Sequence, residues 1–185
     1  LLNIYAGIDF AFSISDKSDY TAIVVVGADS DNRIYVLDID RFKTNKISMM
    51  FGHVRKLYEK WKFKKLRAEI SVGQIMIVEQ FKDYMRQDGH YFTIDEHRPS
   101  RHQGSKEERM VANLEPRYAA NVIWHYKGGN CQLLEEELLL AHPEHDDVKD
   151  CLSSVLEIVT IPGSRSGWKT KGNVVYNAKF GGVGF

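Results

Sequence analysis

Five acidic residues sit where a carboxylate is costly unless it is paired or holds an ion. Asp9 lies inside an apolar stretch, GIDFA. Glu69 closes another, RAEIS. Asp146, Asp147 and Asp150 cluster in PEHDDVKD, where an apolar helical stripe begins. Three such places, far apart in sequence, can converge at one edge of a sheet. Clustered carboxylates suit hard divalent ions such as Mg2+ or Mn2+. Two such ions about 3.5–4 Å apart can activate water and stabilise the leaving oxygen of a phosphodiester. Each acid also has a plainer reading. Asp9 can cap the turn after its strand, and Glu69 can pair with Arg67 or a nearby lysine. Asp146 or Asp147 can be a helix N-cap, with Asp150 favouring the dipole. A cap does not require two adjacent aspartates behind a histidine, however, and Asp150 shares a helix face with both.

The elements that would position these acids follow from hydrophobic periodicity. Residues 3–11 (NIYAGIDFA) and 20–28 (YTAIVVVGA) read as strands, separated by the polar loop SISDKSD. After the turn DSDN, residues 33–42 read as a third strand, with Tyr35, Leu37 and Ile39 on one side. The opening is therefore a three-strand meander. Ile47, Met50, Phe51, Val54, Leu57 and Trp61 recur at helical spacing. Residues 65–70 form a short strand, and Ser71 is the natural cap of a helix that stops at Gly89. A strand at 91–94 precedes a basic loop at 98–104. Ser105 with Glu108 forms a capping box for a helix that Pro116 ends. A brief strand at 122–124 and a helix at 132–141 follow. The last long helix opens at Asp146 or Asp147 and carries Val148, Cys151, Leu152, Val155 and Val159 as one stripe. This order predicts an α/β fold, a mixed central sheet flanked by helices; the ribonuclease H architecture has that strand and helix order, and other α/β folds can begin the same way.

Composition narrows the function classes. The 185 residues are 43% hydrophobic and 27% charged, enough for one domain with a sizeable core. We place that domain at 1–162 and read 163–185, rich in Gly and Lys, as a tail or late hairpin. Basic and acidic residues balance at 25 each, which argues against a passive, strongly basic nucleic-acid coat. Cys131 and Cys151 are too few for a disulfide framework, and neither makes a zinc-ligand pair with His142 or His145. No run is long enough to span a membrane. The chain opens at Leu1 rather than Met, so it reads as a piece of a longer protein. No G-x-x-x-x-G-K-[ST] loop occurs, so ATP hydrolysis is not expected of it.

Longer motifs sharpen the reading. GIDFAFSISDKSDYTAIVVVG, AEIS, KEERMVANLEPRYAANVIWH and LLEEELLLAHPEHDDVKDCLSSVLEI together resemble the ribonuclease-H-like nuclease domain of viral large terminase subunits, of the tailed-bacteriophage type. The resemblance implies a two-metal endonuclease using Mg2+ or Mn2+, which cuts concatemeric double-stranded viral DNA during genome packaging. Asp9, Glu69 and Asp147 match the metal-binding acids, and Asp146 the acid beside the third. Asp150 remains a further candidate ligand. Asp19 is either an accessory ligand or a loop-structuring residue. His145 either orients water or a carboxylate, or is a surface or capping group. The resemblance also implies an ATPase domain in the full chain, a small terminase subunit and a portal ring as partners, and a soluble protein of the host cytoplasm.

Arg98, Arg101, Lys106 and Arg109 gather around the basic loop and the capped helix, and are the candidate DNA-phosphate contacts. Lys106, Arg109 and Asn113 share a helix face, leaving Met110, Val111 and Leu114 to pack. The alternative is a solvated face whose charge Glu107 and Glu108 cancel. Lys60, Lys62, Lys64 and Lys65 read as a solvated helix end. Trp124 reads as core, and Trp168 in the tail as a candidate base contact. Two rivals share the acids or the basic face: a junction resolvase or transposase core of the same fold, and a non-catalytic DNA-binding or assembly module.

Overall fold

The computed structural model describes residues 1–12, 19–71, 74–98, 105–140 and 143–163. Among these residues six strands and five helices follow in the expected order: β1 (Asn3–Asp9), β2 (Thr21–Ala28), β3 (Ile34–Phe42), α1 (Ile47–Trp61), β4 (Lys65–Glu69), α2 (Ile75–Asp88), β5 (Thr93–His97), α3 (Lys106–Ala119), β6 (Ile123–His125), α4 (Cys131–Leu139) and α5 (Asp147–Leu156). They make one mixed sheet in the order β5-β4-β1-β2-β3-β6. The meander β1-β2-β3 is antiparallel; β4 runs parallel to β1, β5 to β4 and β6 to β3.

The sheet has a core on each face, and β2 shows why. All eight of its residues are buried. Ala22, Val24, Val26 and Ala28 join the core under α3, α4 and α5, while Ile23 and Val25 join the one under α1 and α2. This period-2 alternation also governs β1 and β4. Ala6 and Ile8, like Leu66 and Ala68, point to the α1/α2 side. The other parity, Tyr5, Gly7 and Asp9 on β1 and Arg67 and Glu69 on β4, therefore faces α5. Asp9 and Glu69 are register partners at the C-terminal ends of neighbouring parallel strands. Among the described residues no helix is long and apolar enough to cross a membrane.

Several expectations need correction. Ser71 does not cap α2. Its N–H donates to Gln74 Oε1 at 2.7 Å, and Gln74 occupies the cap position without a side-chain cap bond. The fifth strand lies later, at Thr93–His97, because its pairing follows β4 from Lys65↔Thr93 to Glu69↔His97. Pro116 does not end α3. The capping box at Ser105 and Glu108 is present, and past the missing proline N–H the helix continues to Ala119, where Tyr118 packs against the core that also buries Met110 and Leu114. Val111 is half-exposed rather than packed. Trp124 is 50% exposed and not core, since β6 is an edge strand.

The third strand is not the simple alternation predicted. Val25 pairs with Asp38 but Val26 with Val36, so Leu37 falls out of register as a bulge. Parity flips there: Ile34, Val36 and Ile39 join the α5-side core, whereas Leu37 packs on the opposite one. One consequence is that Arg41 emerges on the side of α4, where its guanidinium lies 3.3 Å from Glu137. Cys131 and Cys151 are free thiols, and both are buried. The tail with Trp168 lies outside the described residues.

Candidate active site

Strand parity brings Asp9 up from β1, beneath the first turns of α5. Asp147 and Asp150 open that helix and are buried, at 4% and 7% exposure. Helix α3 lies across the same end and inserts Lys106, whose Nζ is 2.8 Å from Asp150 Oδ2 and 3.7 Å from Asp9 Oδ2. One turn on, Arg109 Nη2 stands 3.6 Å from Glu69 Oε1. Glu69, Lys106, Arg109 and Asp150 line one small cleft. Thus Lys106 and Arg109, expected to lie along DNA, contact the acids in the chain as it stands.

The acids strain against one another. Burial pushes the Asp9 carboxyl up to about 7. Lys106 opposes that rise, while the charge of Asp150, a hydrogen bond shared with it, and the charge of Asp147 add to it. Burial also lifts Asp147 above the ordinary carboxylate range, against the pull of a backbone N–H from Tyr20. Lys106 answers this negative charge. Burial works against its ammonium, but Asp9 and Asp150 outweigh that and hold its pKa above the ordinary lysine value.

Asp147 is held on its other side. Tyr20 N–H donates to Asp147 Oδ2 at 3.0 Å. The Tyr20 ring meets His145 edge-on at 4.9 Å, and His145 Nδ1 lies 4.0 Å from Asp19 Oδ1. Asp19 and His145 therefore flank Asp147, with Asp19 76% exposed. Asp146 sits at the α5 cap position, yet its side chain makes no cap bond. The cap is Glu137 of α4, whose Oε2 accepts the Lys149 N–H at 2.7 Å. The helix-cap alternative for the aspartates is thereby answered by another residue. Arg98 follows β5 on the rim, exposed, 3.8 Å from Glu96. Arg101 lies outside the described residues.

Sequence reasoning missed Gly7, Tyr20, Arg41 and Glu137. A signal for Glu137 existed: helical spacing from Cys131 and Leu134 puts position 137 on the buried face, where a glutamate is unusual. No comparable local signal marks Arg41, because the bulge decides its side.

The donors fit a hard divalent cation. Asp9 and Asp150 offer carboxylate oxygens close enough to share a hydrogen bond, and their mutual repulsion is of the kind a bound cation would relieve. Among the described residues no group of three or more acidic, imidazole or thiol side chains lies together closely enough to hold a metal ion. The Lys106 ammonium stands between Asp9 and Asp150.

A meander followed by parallel strands, with acids at the ends of β1 and β4 and at the start of α5, defines the ribonuclease-H-like class. The chain belongs to the terminase RNaseH-like domain family, whose model matches residues 6–138. That match stops before Asp146, Asp147 and Asp150. The fold is similar to the large terminase nuclease of thermophilic phage G20c, with TM-score 0.62 and 16% identity over 86% of this chain and 83% of that one. It is also similar to the Fowlpox virus resolvase, solved with substrate Holliday junction DNA, with TM-score 0.51 and 14% identity over 83% of this chain and 95% of that one. A search of curated protein sequences finds no match.

Proposed function

We propose that the chain is a metal-dependent DNA endonuclease that hydrolyses phosphodiester bonds of concatemeric double-stranded viral DNA during genome packaging. The observation that carries this reading is the gathering of Asp9, Glu69, Asp147 and Asp150, from three distant segments, at one end of the sheet around Lys106. Membership of the terminase RNaseH-like domain family supports the packaging context. Asp9, Glu69 and Asp147 would hold the ions, with Asp150 and Asp146 as adjoining ligands. Two Mg2+ or Mn2+ ions would supply the Lewis acidity for displacement at phosphorus. Asp19 and His145 would orient the Asp147 side of the site. Lys106, Arg109, Arg98 and Arg101 would meet DNA phosphates, fixing the backbone without reading sequence. An ATPase domain, a small terminase subunit and a portal ring would be its partners in the host cytoplasm.

A second reading has one observation in its favour. Lys106 and Arg109 already neutralise the acids, as they would in a non-catalytic DNA-docking module. Supercoiled plasmid separates the two. The nuclease reading expects nicking with Mn2+ or Mg2+, none in EDTA, and none with Asp9→Asn. Asp9→Asn cutting as fast as the parent would remove Asp9 from the site. No cleavage with either ion, by chain shown to be folded, would favour the docking module.

A further inference from the structure

We propose that Glu137 is a positioning residue: it caps α5 from the neighbouring helix and so leaves the aspartates at the start of α5 free to hold metal. The inference rests on the nuclease reading, and deepens it. The first N–H groups of a helix need acceptors, and the residue at the cap position commonly supplies one from its own side chain. Here that residue is Asp146. A local cap would turn its carboxylate back onto the helix end and away from the site. Instead Glu137 Oε2 reaches across from α4 and accepts the Lys149 N–H at 2.7 Å.

The burial of Glu137 shows that its place is specific. Only 4% of it is exposed, in an otherwise leucine-rich helix where another leucine would cost less. Its second oxygen faces Arg41 Nη1 at 3.3 Å. The Arg41 guanidinium in turn lies over the Tyr20 ring, 4.5 Å from its centroid. Tyr20 donates its N–H to Asp147. Glu137 therefore grips both segments that bracket Asp147: the backbone of α5 directly, and the Tyr20 segment through Arg41. Supporting hydrogen bonds of this kind typically change metal affinity or activity by about 10–100-fold when removed.

Two variants divide reach from charge. Glu137→Gln keeps the reach and an acceptor oxygen; Glu137→Asp keeps the charge but withdraws it by one methylene. Three readouts apply to each: amide hydrogen exchange at Lys149 in metal-free chain, Mn2+ affinity from the free-ion EPR signal, and kcat and KM for plasmid nicking. In Glu137→Asp we expect faster exchange at Lys149, Mn2+ binding weakened by about 10-fold or more, and a lower kcat at unchanged KM. Glu137→Gln should stay within about threefold of the parent in all three, as the retained acceptor predicts. Glu137→Asp with parental Mn2+ affinity and kcat would overturn the inference, whatever its exchange shows. So would a Glu137→Gln that fails as badly as Glu137→Asp. A parent chain that binds no Mn2+ would sink the nuclease reading and this inference together, whereas a binding parent matched by Glu137→Asp would sink the inference alone.

Discussion

Gly7→Ala tests whether the close seat of α5 on the sheet is what brings the acids together. A Cβ at Gly7 would lie 2.9 Å from Val155 Cβ, 3.0 Å from the Cys151 carbonyl oxygen and 3.3 Å from Cys151 Sγ. Carbon atoms pack at about 3.5–4.0 Å, so the helix must retreat by about 0.6 Å or more. Neither the Val155 Cβ nor a backbone oxygen can turn aside. Overpacking of this kind costs about 1–3 kcal/mol. At this chain length each kcal/mol lowers Tm by about 2–4 °C. The retreat also reaches the site, because Asp9 is two residues along the same strand face and Asp150 immediately precedes Cys151. A displacement approaching about 1 Å can cost about 100-fold in rate. Urea unfolding and plasmid nicking well below Tm measure the two effects. An unchanged urea midpoint would refute the packing argument. A lowered midpoint with parental nicking would refute the link between α5 seating and the site.

Lys106→Met removes the ammonium between Asp9 and Asp150; its half-exposed position limits the loss in metal-free chain to about 1 kcal/mol. Mn2+ should then raise Tm more than in the parent, and an equal rise would show that Lys106 does not stand in for the ion's charge. Ser105→Ala removes the capping box of α3 and should cost about 1 kcal/mol, read as a lower urea midpoint; no change would mean the cap adds nothing. Burial pushes the Glu137 carboxyl up to about 7 from an ordinary 4.5, so the folded chain holds a proton across that window that the unfolded chain has released. This contribution to stability is full below pH 4.5 and lost as pH rises through about 7. In EDTA, the parent should therefore lose more Tm than Glu137→Gln between pH 4.5 and 8, and equal losses would refute the assignment.

The element order was legible because burial is periodic: the run in β2 and the stripe in α5 each state how they are buried. Asp9 and Glu69 could be singled out because each breaks an apolar strand. Their adjacency could not, since it depends on the parallel register of β1 with β4. The bulge at Leu37 left no trace in composition, so the alternation read on β3 followed the wrong face and Arg41 was missed. The basic face of α3 was seen correctly as a face. What it faces depends on how α3 crosses α5, where Asn113 Nδ2 donates to the Ser153 carbonyl at 2.6 Å. That crossing turns Lys106 and Arg109 toward the carboxylates.

Buried acids that repel one another would push their helix away from the sheet, so something must oppose them. Helix α5 is tied down along its length. Glu137 holds its first turn. Cys151 Sγ meets the Ala22 carbonyl at 3.5 Å in the middle, beside the Asn113 bond to Ser153. Beyond its end, Glu157 pairs with Arg67, which β4 projects on the α5 side and which also binds Asp95 of β5. The Arg67 guanidinium is buried while Glu157 and Asp95 reach solvent, so these pairs add little net stability, but removing both carboxylates would leave a buried charge uncompensated. Their value here lies in register. The apolar stripe of α5 tolerates sliding along the sheet, whereas directional bonds at both ends and the middle do not. Asp147 and Asp150 are therefore fixed relative to Asp9 by polar anchors, on a core that supplies the adhesion.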